Sequence, residues 1–330
     1  MKISHLILGN QSGDIDSIGC TLALALAKGE SYLPILNFSS QEMELRKDAL
    51  FLFDRLSINI KDLLFEDTLS SFLLDAKKGK LNVILVDHNR LAPSQEAWKQ
   101  YVDQIIDHHV DEKIKYPRLI KSKKLIDKVG SCASLLTEII AHEAFISKKI
   151  ACLLLAPILL DTSNLSNLSK MTLRDSEAAL FLKNRAGDLY SENFYDELLK
   201  KRRDVTLLSP KSLLKKDLKI YQEGDFTYGI ASFPEGVLWN EENVAEWHPA
   251  LTEFLLEKDL KFLLVLEWVG KEKAVLFYSP YPEIRIKLLS QKFSNEIFLP
   301  EAVHIIKNTL LLKLRKPFAR KVFQPLLYNH

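Results

Sequence analysis

Three apolar runs end abruptly in acids, and two of them add histidine. Leu6-Ile7-Leu8 leads into Gly9-Asn10-Gln11-Ser12-Gly13-Asp14-Ile15-Asp16-Ser17, Leu81 to Val86 into Asp87-His88-Asn89, and Val102 to Ile106 into Asp107-His108-His109. A fourth acid, Asp161, follows the apolar stretch Ile150 to Leu160. Carboxylates gathered in one pocket repel each other, and a cation is the natural group to relieve that repulsion. Asp14, Asp16, Asp87 and Asp161 with His108 offer four carboxylates and one imidazole, a mixed oxygen and nitrogen set that suits Mn²⁺, Co²⁺ or Mg²⁺. The acids suffice for two ions roughly 3.5–4 Å apart that share one carboxylate. Such a pair lowers the pKa of a water between them, and with Lys or Arg it neutralises phosphoryl oxygens, which is the chemistry of in-line attack on phosphorus. Each segment also has a plainer reading. Asp16-Ser17 fits a helix cap, and a histidine at a strand end is commonly a satisfied surface or core residue. The recurrence of acid-bearing strand ends is what favours a metal site.

The elements around these residues read as α/β. A short strand precedes Gly9, and a helical pattern runs from Ile18 to Ala27. Tyr32 to Phe38 reads as a strand, Gln41 to Leu56 and Leu69 to Lys78 as helices, and Ser94 to Tyr101 as a short helix. Near-continuous apolar character in Leu81 to Val86 marks a strand buried on both faces, hence a mostly parallel sheet flanked by helices. Gly130-Ser131-Cys132-Ala133-Ser134 opens a helix to about Phe145. Its free backbone N–H groups could hold a phosphate, or the segment could be an ordinary helix cap. Thr172 to Lys183 is a further helix. The polar, aperiodic stretch between Asn184 and Asn193 reads as a linker, which places the domains at 1–188 and 189–330. The second domain reads as smaller and mixed α/β. Its expected helices are Phe194 to Arg203, Ser209 to Lys216 and Glu241 to Leu256. Its expected strands are Leu218 to Tyr221 and Thr227 to Phe233, with a hairpin of Lys261 to Trp268 and Ala274 to Tyr278 around Gly270.

With 330 residues, 47% hydrophobic and 27% charged, the composition fits a soluble globular protein of two domains. The net charge of +2 hides two basic clusters. Lys113 to Lys128 holds seven Lys/Arg against one acid, and Ala302 to His330 holds six and none. Such clusters suit an anionic ligand or form a solvated basic face. The three cysteines, Cys20, Cys132 and Cys152, show neither a disulfide framework nor zinc spacing, which fits a reducing, cytoplasmic setting. The N-terminus does not read as a signal peptide. The longest apolar run, Ile150 to Leu160, contains Pro157 and is too short to span a bilayer. No sequence feature sets an oligomeric state.

In order and spacing, Asn10-x-x-x-Asp14-x-Asp16-Ser17, Asp87-His88-Asn89, Asp107-His108-His109 and Asp161-Thr162 resemble the four motifs of the DHH phosphoesterase superfamily. The forms of the first two motifs resemble its exopolyphosphatase/prune branch, which is related to the manganese-dependent family II inorganic pyrophosphatases. In the second domain, Asp217-Leu218-Lys219 and Arg320-Lys321, with Pro325 shortly after, resemble elements of a DHHA2 domain. The resemblance implies two Mn²⁺ ions (or Mg²⁺/Co²⁺) held by Asp14, Asp16, Asp87, His108 and Asp161, with Asp87 bridging. It implies that His109 faces the substrate as proton donor or positioning group, and that Asp107 orients a histidine. Asn10 and Asn89 are then expected on the substrate side, and Lys219, Arg320 and Lys321 on the phosphates, in a cleft between the domains. Three departures stand out. Asn10 replaces the histidine of family II pyrophosphatases, Gln11 stands where the branch often has Glu, and Ala319 replaces a serine.

The implied activity is a divalent-metal-dependent phosphohydrolase releasing phosphate from inorganic polyphosphate or another small polyphosphate. A manganese-dependent pyrophosphatase is the near alternative. A DHH nuclease or oligonucleotide phosphatase is disfavoured, because the chain has no Gly-Gly pair and Tyr116 is the lone aromatic in the Lys113 to Lys128 cluster. A prune-like binding protein without catalysis is disfavoured by the intact acids.

Overall fold

Strand β1 (His5–Leu8) sits at the centre of the first sheet because its residues feed two cores. Ile7 enters one, while Leu6 and Leu8 enter the other. The computed structural model describes residues 3–206, 208–216, 218–223, 226–233, 237, 241–269, 272–284, 304–306 and 308–313. After β1 come α1 (Ile15–Lys28), β2 (Tyr32–Leu36), α2 (Lys47–Arg55), β3 (Leu64–Phe65), α3 (Leu73–Lys77), β4 (Asn82–Val86), β5 (Val102–Asp107) and β6 (Lys124–Ile126). Four helices complete this unit: α4 (Cys132–Glu143), α5 (Lys148–Asp161), α6 (Leu173–Ala186) and α7 (Phe194–Arg203). The six strands pair in parallel in the order β3-β2-β1-β4-β5-β6. The order reverses between β1 and β4, and in open α/β sheets ligands bind outside the carboxyl ends of the strands at that point.

The two sheet faces are covered differently. One carries the longer α-helices, and the other carries the short α3 and 3-10 segments. The expected helix over Ser94 to Tyr101 is a 3-10 turn, Pro93–Tyr101, and its buried residues are Gln95, Trp98 and Tyr101. A burial period of three is that of a 3-10 helix, whose side chains eclipse at i and i+3. Likewise Gln41 to Leu56 divides into a 3-10 turn, Ser40–Leu45, and α2. The break falls at Arg46, whose side chain is committed elsewhere, as described below.

Helix α5 is apolar all round and buried over Ile150 to Leu160, as a helix in the middle of a core must be. Its Pro157 has no N–H to give the carbonyl of Leu153 four residues earlier. Helix α1 crosses α5 at that carbonyl, with Gly19 at the contact. A Cβ on Gly19 would lie 2.3 Å from Leu153 O. Gly19→Ala therefore pushes α1 off α5, and with it the aspartates that α1 carries. The expected loss is about 1–3 kcal/mol of stability, read from urea unfolding; an unchanged midpoint would refute the close-contact argument.

The first compact unit runs to Asp204, past the expected boundary at 188. Helix α6 continues to a buried Ala186, and a 3-10 turn follows directly. Helix α7 then buries Phe194 and Leu198 completely in the first core. The polar stretch is thus a solvated helix end and turn, with Asn184 and Arg185 exposed.

The second unit, Val205–His330, contains α8 (Pro210–Lys216), β7 (Lys219–Glu223), β8 (Phe226–Phe233), α9 (Glu241–Glu257), β9 (Phe262–Val269), β10 (Glu272–Tyr278), β11 (His304–Ile306) and β12 (Thr309–Lys313). Its sheet order is β11-β12-β10-β9-β8-β7, with β8 and β9 parallel and the other pairs antiparallel. This is the smaller mixed α/β domain expected, including the β9–β10 hairpin. Strands β11 and β12 were not legible in the sequence. Leu213, Leu214, Leu251, Phe254, Leu263 and Leu276 form its core. Lys219 is exposed at the start of β7. Asp217, Ala319, Arg320, Lys321 and Pro325 lie outside the described residues.

Candidate metal centre

The loop from Asn10 to Asp14 is held from behind by Arg46, the residue before α2. Its Nε donates to Gly13 O (2.6 Å), its Nη2 to Ser12 O (2.7 Å) and its Nη1 to Glu42 O (2.7 Å). The guanidinium lies 3.8 Å from the centroid of the Phe38 ring. A buried guanidinium must satisfy its donors locally, and here it does so by pinning the loop. Gly13 has φ +56, and a Cβ there would lie 2.2 Å from the same Phe38 ring, so the turn requires glycine.

Asp14 caps α1 by accepting from Ser17 N (3.0 Å). Asp16, in the first turn of α1, is buried and reaches the start of α4. Its carboxylate accepts from Cys132 N (2.7 Å), Ala133 N (3.1 Å), Ser131 Oγ (2.8 Å) and Cys20 Sγ (3.3 Å). Asp175, on α6, accepts from Gly130 N (2.9 Å), Ser131 N (3.4 Å) and Ser134 Oγ (2.6 Å). The N–H groups of Gly130 to Ala133 are thus occupied by two carboxylates, and that of Ser134 by Ser131 O. Of its two sequence readings, the structure selects the cap over the phosphate cradle.

At the end of β4, Asp87 has φ +62. That left-handed conformation costs a non-glycine residue on the order of 1 kcal/mol, and Asp tolerates it better than most. Asp87 Oδ2 accepts from Asn10 Nδ2 (2.5 Å). Oδ1 is buried and accepts no hydrogen bond. It faces His108 Nε2 at 3.3 Å and His109 Nδ1 at 3.8 Å. His108 Nδ1 lies 3.1 Å from Val129 O. That contact assigns a proton to Nδ1 and turns Nε2 toward Asp87, with Asp16 Oδ2 3.8 Å away. Ligand atoms of Asp87, His108 and His109 all lie within 4.8 Å of one another, the one such group of three among the described residues.

Asp107 braces this arrangement. It accepts from His108 N (2.8 Å), His109 N (3.2 Å), His109 Nδ1 (2.8 Å) and Asn89 Nδ2 (2.6 Å). Burial alone would raise its pKa. The hydrogen bonds from His109 and Asn89 outweigh burial and bring it from 3.8 to about 2. His109 is half exposed, its ring edge-on to that of His108. Asn89, expected on the substrate side, is buried. Its amide also donates to Val110 O (3.0 Å) and accepts from Glu112 N (2.9 Å), so it holds the loop after β5. Asn10 is similarly engaged: besides Asp87, its Oδ1 accepts from Ser12 Oγ (2.7 Å) and Gly13 N (3.0 Å).

Because its folded pKa lies below 3.8, Asp107 contributes stability that is present above about pH 4 and lost as pH falls toward 2. The size is about 2 kcal/mol. The stability difference between wild type and Asp107→Asn, from urea midpoints, should be full at pH 7 and vanish between pH 4 and 2. A difference independent of pH would contradict the assignment.

Asp161 ends α5, with Arg202 Nη1 of α7 3.5 Å away. Burial, then Asp16 and Asp14, push its pKa up to about 8 against the pull of Arg202. Burial and then the charge of Asp16 lift Asp87 well above the carboxylate range. Burial would lower His108, but its contact with Asp87 and the charges of Asp16 and Asp87 raise it to about 10. The carboxylates crowd one low-dielectric field, and a buried carboxylate oxygen and an imidazole nitrogen face each other across a proton whose place a cation can take. Those donors fit a divalent cation. Thiolates are not on offer, since burial pushes Cys132 up to about 12 and Cys20 well above its ordinary value. Of the five ligands expected from sequence, Asp87 and Asp16 each face His108 Nε2, at 3.3 and 3.8 Å. Asp14 and Asp161 enter through the field. Sequence reasoning missed Arg46, Asp175 and Arg202. For Asp175 a signal existed, the capping-box spacing of Thr172 and Asp175; Arg46 and Arg202 carried none.

Residues 4–158 match the DHH family, N-terminal domain, and residues 196–328 match the DHHA2 domain. The chain is 36% identical over 231 residues to the exopolyphosphatase PRUNE1 of Homo sapiens, covering 67% of this chain and 50% of that protein. It is 28% identical over 193 residues to a Thermotoga maritima protein described as a probable manganese-dependent inorganic pyrophosphatase, covering 52% of this chain and 34% of that one. The chain spans about half the length of the PRUNE1 relatives it matches. Among solved structures, a Methanococcus jannaschii protein assigned as a family II inorganic pyrophosphatase shares the fold, with a TM-score of 0.68, 21% identity and 98% of both chains covered.

Proposed function

The chain belongs to the DHH family, with a DHHA2 domain behind its DHH domain, and on that footing we propose that it is a divalent-metal-dependent phosphohydrolase releasing phosphate from inorganic polyphosphate. The observation that carries this reading is the buried pair Asp87 Oδ1 and His108 Nε2, facing each other at 3.3 Å beside the switch point of the sheet. Asp14, Asp16, Asp87, His108 and Asp161 would hold the metal, two ions with Mn²⁺ preferred and Mg²⁺ or Co²⁺ as substitutes, and Asp87 would bridge. The bound metal would supply a water of lowered pKa and neutralise the phosphoryl oxygens.

The chain's own groups do the rest. Asp107 fixes the His109 ring through Nδ1, which leaves Nε2 as the atom that can donate a proton to a departing phosphate oxygen. Asp16 ties the ligand end of α1 to the start of α4, so the ligands are held by two helices before any ion arrives. Arg202 balances Asp161 until the metal does. Lys219, with Arg320 and Lys321, would hold the distal phosphates. The family relationships to an exopolyphosphatase and a pyrophosphatase support the reaction class. Asn10 supports polyphosphate over pyrophosphate. The pyrophosphatase motif has histidine there, whereas this amide donates to Asp87 and its oxygen is already engaged by Ser12 and Gly13. Three free, buried cysteines accord with a reducing compartment, and we place the protein in the cytoplasm. Among the described residues, no helix is long and apolar enough to cross a membrane.

The test is phosphate release by metal-stripped protein given pyrophosphate, tripolyphosphate, long polyphosphate or an oligonucleotide, with Mn²⁺, Mg²⁺, Co²⁺ or none. Metal-dependent release from the polyphosphates, with little from pyrophosphate, is the expected result. Strong pyrophosphate turnover would move the chain to the pyrophosphatase side, and release from the oligonucleotide alone would overturn the reading.

A further inference from the structure

The segment between β5 and β6 leaves the candidate centre at His109 and returns to it at Val129. Its start is tied to the loop after β4: Asn89 holds Val110 O and Glu112 N, and Arg90 pairs with Glu112 at 2.9 Å. Its middle is anchored by Tyr116, whose buried ring sends the hydroxyl to Asn89 O (3.1 Å) while Leu91 N donates to it (3.2 Å). Ile114 and Leu119 pack into the same core. Its return is fixed by β6, where Ile126 pairs with Asp107, Asp127 N donates to Asp107 O (3.2 Å), and the carbonyl of Val129 holds His108. The segment is therefore a strap fastened at both ends to the catalytic strand ends.

The charge on this strap is arranged, not scattered. Lys123 pairs with Asp103 and Lys124 with Asp111, which fasten the strap. Arg118 donates to Asn82 and covers the Tyr101 ring. Lys113, Lys115, Lys121 and Lys128 remain exposed and form no ion pair among the described residues. Residues 114, 116 and 119 point inward, so Lys113 and Lys115 are presented outward on a held backbone. Lys113 is four residues from His109, within about 14 Å of chain. Lys128 immediately precedes the residue that orients His108.

We propose that this strap is a binding track for a linear polyanion of repeating phosphates, engaging the part of a polyphosphate chain that extends beyond the scissile phosphate through Lys113, Lys115, Lys121 and Lys128. The inference rests on the polyphosphate reading above and adds to it the surface that sets chain-length preference. Lys113 and Lys128 flank the strand ends, and Lys121 lies toward the amino ends of β4 and β5, where Arg118 meets Asn82 and Lys123 meets Asp103, so the unpaired ammonium groups lead away from the phosphoryl site and can hold an extended polyanion electrostatically. A nucleic acid strand is the other polyanion such a surface could take. Binding of that kind relies on aromatic faces for stacking, and the strap's one aromatic ring is buried with its hydroxyl committed.

The test compares wild type with the variant K113Q/K115Q/K121Q/K128Q and with its counterpart carrying Arg at the four positions. KM is measured for tripolyphosphate and for long polyphosphate over a salt series, beside fluorescence anisotropy of labelled long polyphosphate and of a labelled oligothymidylate, both without metal. The glutamine variant should raise KM for long chains about tenfold or more, leave tripolyphosphate within about twofold, and flatten the salt dependence, as loss of four phosphate contacts requires. The arginine variant should restore long-chain KM. Equal loss on both substrates, no change on long chains, or tighter binding of the oligothymidylate than of polyphosphate would overturn the proposal. If wild type hydrolyses no polyphosphate, the functional reading fails on its own, while the anisotropy arm still decides whether the strap binds the polyanion.

Discussion

Asp87→Asn is expected to lower phosphate release by on the order of 10³-fold or more while leaving the fold intact. The substitution is nearly isosteric, and asparagine tolerates the left-handed backbone that Asp87 adopts at φ +62. Asn10 can still donate to the retained oxygen. What disappears is the negative charge of a buried group whose Oδ1 has no other partner and faces His108. An amide nitrogen in that position turns a donor toward the site and rejects a cation. The decisive readout is thermal. Binding at a hundred times Kd stabilises a folded protein by about 2.7 kcal/mol, so saturating Mn²⁺ should raise the Tm of wild type and leave the variant nearly unmoved. Asp87→Ala is the poorer probe, because it also strains the backbone and opens a cavity. Turnover within tenfold of wild type, with the Mn²⁺ shift retained, would remove Asp87 from the centre.

How much of this was legible in the sequence depended on whether a residue's partner lay nearby in the chain. The strand ends at Gly9, Asp87 and Asp107 were readable because buried parallel strands give unbroken apolar runs and the acids that follow interrupt them. The short helix over Ser94 to Tyr101 is legible, but not its 3-10 pitch, since a window of eight residues separates periods of 3 and 3.6 poorly. The family resemblance places Asn89 on the substrate side. Its side chain instead turns inward to Asp107 and Val110, a direction that only the register of β4 against β5 sets. Arg46 could not be found at all: its contacts are to the carbonyls of Ser12 and Gly13, which any sequence possesses. The compact unit extends beyond the boundary expected at 188 for a related reason. Local polarity marks where chain is solvated, whereas α7 joins the first unit through Phe194 and Leu198 packing against distant helices.

Asp175→Ala is expected to cost about 3–5 kcal/mol of stability, the largest structural effect of any single change near the centre. Asp175 is completely buried, and besides the three donors of the α4 loop it accepts from Thr172 N (2.7 Å) and Thr172 Oγ1 (2.8 Å). Truncation leaves the buried N–H of Ser131 and the half-buried N–H groups of Gly130 and Thr172 without their acceptor, and a buried unsatisfied group costs about 1–3 kcal/mol. Asp175→Asn keeps one acceptor oxygen but adds two donors, so its loss should be intermediate. The carboxylate's pKa is below its ordinary value, because its hydrogen bonds outweigh burial, so its contribution is present above about pH 4 and lost as the carboxyl protonates on acidification. The same loop carries Val129 O, which orients His108, and Cys132 N, which orients Asp16. Loosening it must therefore weaken metal binding as well, although Asp175 touches neither ligand. Titration of Mn²⁺ well below the variant's Tm should show a Kd about 10–100-fold weaker, the usual range for groups that orient ligands. A variant that unfolds within about 1 kcal/mol of wild type and binds Mn²⁺ equally well would mean that α4 holds its place without Asp175. The ligand geometry would then rest on Asp16 alone.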